Sequence, residues 1–125
     1  NHEHEFQTQY DGARVFELLF DNAGDHLGLQ LDCGWCRVGG EDPVRIIKRL
    51  GHRVPMVHIK DWRQGPDGRP QVTELGRGRM DWGPIFDAAR NAGVRWYIAE
   101  QDESETDSLE SAARNARFMQ AQLAR

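Results

Sequence analysis

Three metal-competent side chains stand at the ends of three short strand-like segments. They are Asp32, His58 and Glu100, in residues 27–32, 54–59 and 94–100. Two carboxylates and one imidazole form a ligand set of oxygen, nitrogen and oxygen, which suits a divalent cation such as Mn²⁺, Mg²⁺, Co²⁺ or Zn²⁺. The sequence therefore predicts a divalent metal site, provided that the fold brings the three segment ends together.

The alternation of residues within each segment places the three candidates on a common face. Alternate residues of a strand point to the same side, so Asp32 is in phase with Gln30, and His58 is in phase with Lys60. An Asp, His or Glu that is buried must be paired or must bind a ligand. A structural salt bridge explains one such residue, whereas three at corresponding strand ends favour a shared ligand.

A helical pattern follows each strand-like segment, which makes a repeated β/α order. Residues 2–6 alternate as a first strand, and helices are predicted over residues 13–20, 43–50, 82–92 and 107–123. Strands that alternate with helices form a parallel sheet, and the carboxyl ends of such strands lie on one rim. We therefore expect an α/β fold of four consecutive β/α units in one domain over residues 1–125, either a small open sheet or half of a (β/α)₈ TIM barrel.

Size and charge restrict the class of protein. The 125 residues are enough for one domain, and a net charge of −4 with scattered Lys and Arg gives no footprint for nucleic acid. No apolar run reaches the roughly 18 residues of a membrane helix, and no targeting signal is recognisable. A soluble, cytoplasmic protein is expected. Because the chain starts with Asn1, it is also expected to be processed, truncated or incomplete.

The stretch from residue 60 to residue 80 is rich in Gly and Pro and is long for a connection inside a compact domain. Connections of this length without secondary structure are usually functional or disordered. The sequence therefore predicts a loop, either functional or disordered, between the third strand and the helix that begins near Trp82.

Cys33-Gly-Trp-Cys36 admits more than one interpretation. A Cys-x-x-Cys pair after a strand occurs in thioredoxin-like redox sites and in zinc sites. Here an acid precedes Cys33, the motif is expected to open a Gly-rich loop instead of a helix, and the sequence has no second Cys pair. Two free thiols in a reducing cytoplasm are the favoured interpretation, and the pKa of Cys33 would distinguish a redox thiol.

His2 and His4 form a further candidate ligand pair, because they are two residues apart on the first predicted strand. A pair of this kind at a chain terminus is often merely exposed. Both interpretations of His4 stay open.

Six short motifs together resemble the xylose isomerase-like TIM-barrel superfamily, in the branch of sugar phosphate isomerases/epimerases and inosose dehydratases. The resemblance covers nearly the whole chain but only the second half of the family's barrel. Each motif is weak alone, and their shared order on the β/α pattern makes the signal strong. In chain order they are Asn1-His2-x-x-x-Phe6, Leu31-Asp32-x-x-Trp35, Gly40-x-Asp42-Pro43, Val57-His58-Ile59-Lys60-Asp61, Leu75-Gly76-x-Gly78-x-x-Asp81-Trp82 and Ala99-Glu100-Gln101-Asp102.

The resemblance implies a divalent metal held by one side chain from each of four strands. Asp32, His58 and Glu100 match three of these positions. The fourth family ligand belongs to a Tyr-His-Asn-His motif, of which only Asn1-His2 is present. Either His2 substitutes for that ligand, or the site in this chain is incomplete.

The resemblance also implies an activity, that of a metal-dependent isomerase or epimerase of a sugar or sugar phosphate. Such an enzyme removes a proton next to a carbonyl and passes through a metal-stabilised enediolate. Glu100 would be the base, and Lys60 would bind a substrate oxygen. Trp35 and His2 would line the substrate site. The loop that ends at residue 80 would close over the substrate, with Arg77 or a neighbouring arginine reaching a phosphate or carboxylate.

Two alternatives stay open beside this function. The first is an inosose dehydratase-like lyase, because a His-Asn-His strand removes one of the two glutamates that epimerases of the superfamily oppose across the substrate. The second is a non-catalytic half-barrel with a vestigial metal site. The DNA-repair endonucleases of the superfamily are discounted, since Trp35 stands where they carry a metal-binding His. Four units leave exposed sheet edges, so we expect self-association or a missing N-terminal half.

Overall fold

A parallel sheet and the helices that follow its strands make up the core of the chain. The computed structural model describes residues 1–124. In chain order its elements are α1 (Glu3–Gln7), β1 (Gln9–Tyr10), β2 (Ala13–Arg14), α2 (Val15–Asn22), β3 (Gln30–Asp32), α3 (Cys33–Val38), α4 (Pro43–Leu50), β4 (Met56–Ile59), β5 (Asp61–Gln64), β6 (Pro70–Thr73), α5 (Trp82–Ala92), β7 (Trp96–Ala99) and α6 (Ser108–Leu123).

The central sheet has the strand order β3-β4-β7, and both pairings are parallel. Asp32 lies opposite His58 in the register, and Ile59 lies opposite Ala99. The backbone N–H of Glu100 continues this ladder by donating to the carbonyl of Ile59 at 3.1 Å. The three predicted strands are therefore confirmed, and their carboxyl ends meet at one rim.

The two faces of this sheet have different surroundings. Leu31, Val57 and Ile59 are buried under the helices that follow the strands. On the opposite face, which would be the interior of a barrel, Trp96 is 62% exposed and Ile98 is 37% exposed. An open sheet of β/α units that packs helices on one side only is what half of a (β/α)₈ barrel presents.

Most helix boundaries follow the sequence signals. Asp42 caps α4 by accepting the N–H of Val44 at 3.1 Å, with Pro43 at the first helical position. The predicted helix over residues 82–92 is confirmed, and it stops where Gly93 takes a left-handed conformation with φ of 77°. The helix predicted over residues 13–20 begins two residues later, at Val15, because β1 and β2 form a short hairpin before it.

The first predicted strand, over residues 2–6, is wrong, because these residues form α1. The carboxylate of Glu5 accepts the backbone N–H of His2 at 2.7 Å, which closes the first helical turn. Phe6 is then buried against Phe16, with ring centroids 4.6 Å apart. The parallel sheet of the described chain accordingly has three strands, and α1 packs against α2 and α3.

Two segments that were expected to be loops are ordered elements. The stretch after Lys60 forms an antiparallel hairpin of β5 and β6, which returns at a turn containing Gly68. The Cys-x-x-Cys motif opens α3, because the carboxylate of Asp32 caps that helix by accepting the N–H of Trp35 at 2.8 Å. Among residues 1–124, the helices lack the combination of length and apolar character that crossing a membrane requires.

Candidate metal centre

The strand ends bring the three predicted ligands into one cluster. Asp32, His58 and Glu100 each offer a ligand atom, and these atoms lie within 4.8 Å of one another. Asp32 Oδ2 is 3.8 Å from His58 Nδ1, and the same ring nitrogen contacts Glu100 Oε2 directly. Two oxygens and a nitrogen therefore face a common point at the carboxyl end of the sheet.

Hydrogen bonds hold both the side chain and the backbone of Asp32. Its side chain is buried, and its Oδ1 caps α3, so that Oδ2 is the oxygen that faces His58. The side chain of Asn1 accepts the N–H of Asp32 at 3.0 Å and donates to its carbonyl at 3.4 Å. Asn1 thus occupies the free edge of β3 in the way that a neighbouring strand would.

The side-chain amide nitrogen of Gln30 faces His58 Nε2 and fixes the orientation of the ring. Which end of an amide faces a ring is an assignment that depends on the hydrogen-bond network. An amide turned the other way would place its oxygen against Nε2, so that this nitrogen would carry the proton and Nδ1 would keep its lone pair for a metal. Metal-ligating histidines commonly have an acceptor of this kind on the second nitrogen.

Lys60 lies inside the cluster of carboxylates and is only 2% exposed. Its Nζ is 2.8 Å from Asp102, 3.1 Å from Glu100 Oε1 and 3.3 Å from Asp32 Oδ2. The ammonium also lies over the ring of Trp35, at 4.9 Å from the centroid. Burial by itself favours the neutral amine, but the hydrogen bond and charge from these carboxylates outweigh it and raise the pKa of Lys60.

The charges of the cluster leave room for a dication. Three carboxylates, from Asp32, Glu100 and Asp102, face one ammonium, so the cluster carries two uncompensated negative charges when His58 is neutral. Asp32 and Lys60 are almost wholly buried, whereas the side chains of Glu100 and Asp102 are 33% and 46% exposed, so the demand for a compensating cation is strongest at Asp32. Burial is also the largest influence on Asp32 and raises the pKa of its carboxyl despite the nearby ammonium. A divalent cation would balance the charges.

One buried oxygen shows where such a cation fits. Glu100 Oε2 accepts no hydrogen bond from residues 1–124, although it lies in contact with His58 Nδ1. A buried oxygen without a donor calls for an explanation, of which an absent ion is one. Together with Asp32 Oδ2 it supplies the two oxygens of the ligand set, so the residues present fit a divalent metal.

A cavity of about 400 Å³ adjoins this centre and includes two of the predicted substrate-binding residues. The rings of His2 and Trp35 form one wall, with centroids 6.3 Å apart. The hairpin strand β6 and Asp102 form the other walls. Because Trp35 and Asp102 both contact Lys60, the cavity lies beside the carboxylate cluster.

Arg77 lies outside the cluster and does not line the adjoining cavity. Its guanidinium pairs with Glu74 at 2.9 Å, and Glu74 also accepts from Arg114 on α6 at 2.8 Å. The two neighbouring arginines are engaged as well, Arg63 with Glu105 and Arg79 with a side-chain amide. In this structure, therefore, the arginines of the hairpin region bind side chains of the chain itself.

The two cysteines are free thiols, as the favoured interpretation expected. The expectation that their motif opens a loop is wrong, since Cys33 and Cys36 lie in α3. Both side chains are completely buried, and burial raises the pKa of Cys36 to about 12 and that of Cys33 well above its usual range. A reactive redox thiol requires a lowered pKa, so the environment of this pair opposes redox chemistry.

His4 belongs to a second group of potential ligands, together with His2 and Glu5. Within the described chain this group is separate from the cluster at the strand ends, and both of its histidines are exposed. The rings of His2 and His4 stack with centroids 5.6 Å apart.

Three residues of the centre were not predicted as site residues. Gln30 was placed in phase with Asp32, and that phase was the available signal for its contact with His58. Asp102 stands two residues after Glu100, so the spacing of alternate residues pointed to it as well. The contact of Asn1 with Asp32 is a long-range side-chain contact, for which the sequence offers no local signal.

Comparisons with known proteins agree with this geometry. Residues 1–122 match the sequence model of the family described as xylose isomerase-like TIM barrel. An inosose dehydratase of Lacticaseibacillus casei is 27% identical over 87% of this chain and 42% of its own length. An inosose dehydratase of Clostridium botulinum is 32% identical over 73% of this chain and 36% of its own length. The chain thus spans less than half the length of these curated relatives.

Solved structures show the same fold. A sugar phosphate isomerase/epimerase from Parabacteroides distasonis superposes with a TM-score of 0.80 at 24% identity, over 97% of this chain and 45% of the other. A xylose isomerase domain protein from Planctomyces limnophilus superposes with a TM-score of 0.66 at 18% identity, over 93% of this chain and 42% of the other. Nearly all of this chain therefore overlays less than half of each barrel, as a half-barrel should. With its family match, its parallel sheet and its coverage of related barrels, the chain belongs to the xylose isomerase-like TIM-barrel family.

Proposed function

We propose that this chain carries the metal-binding half of a divalent-metal-dependent isomerase or epimerase that acts on a sugar or sugar phosphate. The observation that carries the proposal is the convergence of Asp32, His58 and Glu100 at the strand ends, with Lys60 among them. In a TIM barrel this rim is where catalytic groups stand. The family match supports the same class of chemistry.

The residues of the cluster can share the work of removing a proton next to a carbonyl. A divalent metal held by Asp32, His58 and Glu100 would supply Lewis-acid polarisation of that carbonyl. The carboxylate of Glu100 would take the proton from the neighbouring carbon. Lys60 would donate a hydrogen bond to the oxygen on which negative charge develops. Trp35 would present an apolar wall to the ring of the substrate.

A second candidate is dehydration of a keto-cyclitol, which begins with the same proton removal. Two observations favour it. The curated relatives are named inosose dehydratases. In the described cluster, the carboxylate of Glu100, which has one buried oxygen, is paired with the ammonium of Lys60. One base and one acid are sufficient for loss of water, whereas an epimerase needs proton transfer on both faces of the carbon.

The interior face of the sheet requires a cover in a working enzyme. Trp96 and Ile98 are exposed there, and the related barrels are more than twice as long as this chain. The proposal therefore includes a further set of β/α units that completes the barrel, supplied by a longer form of this chain or by a second copy. A non-catalytic half-barrel whose role is assembly is the outcome if no metal binds.

Metal binding is the first test. We expect calorimetry to show micromolar or tighter binding of Mn²⁺ and Co²⁺ to the chain, and loss of that binding in an Asp32→Ala/Glu100→Ala variant. The matched control is Asp25→Ala/Asp87→Ala, which removes the same charge from two exposed positions. Equal binding by all three proteins would contradict the site, and absence of binding by the parent would favour the non-catalytic alternative.

Proton exchange tests the chemistry independently of the final product. In D₂O the loaded protein should introduce deuterium next to the carbonyl of ketoses or keto-cyclitols, and Glu100→Gln should abolish this exchange. When the reaction is repeated in H₂O, a product of unchanged mass identifies an isomerase or epimerase, and a product lighter by one water identifies a dehydratase. Metal binding without exchange on any substrate of these classes would contradict the proposed reaction.

A further inference from the structure

The ammonium of Lys60 lies at the edge of the proposed cation position. Asp32 Oδ2 is shared, since it is 3.3 Å from Lys60 Nζ and 3.8 Å from His58 Nδ1. The two carboxylate oxygens of Glu100 have different partners: Oε1 accepts from Lys60 at 3.1 Å, and Oε2 faces His58. An internal monovalent cation and a divalent metal would therefore draw on the same two carboxylates.

Among the residues that the structure describes, Asp102 is the only carboxylate partner of Lys60 that the proposed metal does not use. It makes the shortest of the three ion-pair contacts, at 2.8 Å. Its side chain is 46% exposed and lines the adjoining cavity, whereas the side chains of Lys60 and Asp32 are almost wholly buried. Asp102 thus anchors the ammonium to a residue that lines the cavity.

We propose that Asp102 is a positioning residue that holds the Lys60 ammonium beside the metal position and not within it, so that the carboxylate cluster accommodates both cations. This role rests on the proposed metal site and adds a residue that governs it. With both cations present and His58 neutral, three carboxylates balance one ammonium and one dication.

The physical basis is competition between like charges in a partly buried site. Two cations repel each other strongly where water screens them poorly. If Asp102 lost its charge, Lys60 would keep only Asp32 and Glu100 as partners, and both are the metal's oxygen ligands. The ammonium would then compete with the metal for these oxygens, and the affinity for a dication would fall.

A double-mutant cycle on metal affinity tests this role. Asp102→Asn should weaken Mn²⁺ binding about tenfold, the scale of coupling within one ion-pair network. Lys60→Met, which removes the competing ammonium at similar volume, should strengthen binding. In the Lys60→Met background, Asp102→Asn should then change affinity no more than about twofold, because its effect passes through Lys60.

Two further variants separate positioning from bulk charge. Glu103→Gln removes a neighbouring carboxylate that also lines the cavity and should leave the affinity nearly unchanged. Asp102→Glu keeps the charge and should restore most of the affinity that Asp102→Asn loses. The visible absorption of bound Co²⁺ provides a second readout, and it should shift in Asp102→Asn as Lys60 approaches the ligands.

The outcomes distinguish this role from the metal site on which it rests. An equal loss from Asp102→Asn in both backgrounds, or no loss in either, would overturn the positioning role while leaving the metal site intact. Absence of Mn²⁺ and Co²⁺ binding by the parent chain would overturn both. If Lys60→Met does not fold by circular dichroism, Lys60→Gln takes its place in the cycle.

Discussion

The carboxylate of Asp61 accepts the indole N–H of Trp82 at 3.1 Å, across a sequence separation of 21 residues. Asp61 is fully buried, and the same carboxylate accepts the backbone N–H groups of Gly76, Gly78 and Met80 at 3.0 to 3.2 Å. One side chain therefore fixes the turn between the hairpin and α5. Since Asp61 directly follows Lys60, this turn is tied to the residue that enters the metal centre.

Replacement of Asp61 by Asn should destabilise the chain by about 2–4 kcal/mol, because an amide NH₂ would face N–H donors that lose their acceptor. Equilibrium unfolding in urea measures this difference. Asp67→Asn is the matched control: Asp67 lies in the exposed hairpin turn and accepts one backbone N–H at 3.0 Å. A loss of similar size in both variants would contradict the special role of Asp61.

Gly34 allows α3 to approach the strand that carries Lys60. A Cβ at Gly34 would lie 2.5 Å from the carbonyl oxygen of Lys60 and 3.0 Å from its Cβ. Gly34→Ala should therefore shift α3, lower stability by about 1–3 kcal/mol, and weaken Mn²⁺ binding although no polar group changes. In Gly83→Ala, where the nearest neighbouring atom is 4.0 Å away, the added methyl should instead stabilise helix α5 by about 0.5–1 kcal/mol. Unchanged metal affinity in Gly34→Ala would show that the position of α3 does not affect the metal site.

The buried thiols should resist modification in the folded protein. Because burial raises the pKa of both Cys33 and Cys36, the reactive thiolate stays scarce as the pH rises from 7 to 9. We expect negligible reaction with a disulfide reagent over this range, followed by reaction of two thiols per chain once denaturant is added. Rapid reaction of either thiol in the native state at pH 7 would revive the redox alternative.

Glu74 should make stability depend on pH in the acid range. Burial favours its neutral form, but hydrogen bonds from Ser111 and Arg114 and the charges of Arg114 and Arg77 lower its pKa below the ordinary value of 4.5. A lowered folded-state pKa stabilises the protein above the unfolded-state value, and the contribution disappears as the pH falls through the folded-state value. The melting temperature of Glu74→Gln should therefore lie below that of the parent at pH 7 and approach it below pH 4.5.

The exposed Glu103→Gln serves as the control for that comparison, since its side chain makes no ion pair among the described residues. Its melting temperature should follow that of the parent at every pH. A Glu74→Gln difference that persists unchanged into acid would mean that lost packing, and not lost charge, causes it.

The open face of the sheet should drive self-association of the isolated chain. Trp96 is 62% exposed and Ile98 is 37% exposed on the face that a barrel would enclose. Sedimentation should show a concentration-dependent dimer or larger species, which Trp96→Asp/Ile98→Asp converts to monomer. Leu109→Asp, on the outer helix α6 and 80% exposed, should leave the association unchanged. A monomeric parent at all concentrations would contradict this expectation.

Much of the fold was predictable because the sequence carries its signals locally. The apolar segments that end at Asp32 and at Glu100 predicted strands in the correct order. The first of these strands, β3, is shorter than predicted, because it starts only at Gln30. Asp42 before Pro43 predicted the start of α4, and it is where that helix begins. Such signals depend on residues close in sequence, so they survive without knowledge of the tertiary contacts.

The wrong predictions come from sequence patterns that are compatible with two different secondary structures. Residues 2–6 alternate as in a strand, but the contact of Glu5 with the N–H of His2 and the burial of Phe6 select a helix. The many Gly and Pro residues after Lys60 predict a loop, but Pro66-Asp67-Gly68 is also a turn signal that fits the observed hairpin. The position of Asn1 in the site depends on its contact with Asp32, 31 residues away, which a single sequence does not reveal.

Asp32 performs two tasks with its two oxygens, because Oδ1 caps α3 while Oδ2 faces His58. Asparagine would preserve the cap and lose the charge, serine would preserve only the cap, and glutamate would preserve the charge on a side chain too long for the cap. No other amino acid satisfies both demands at this position. Random mutagenesis with selection for a folded, metal-loaded protein should therefore leave this codon almost invariant, while the exposed hairpin turn accepts many changes.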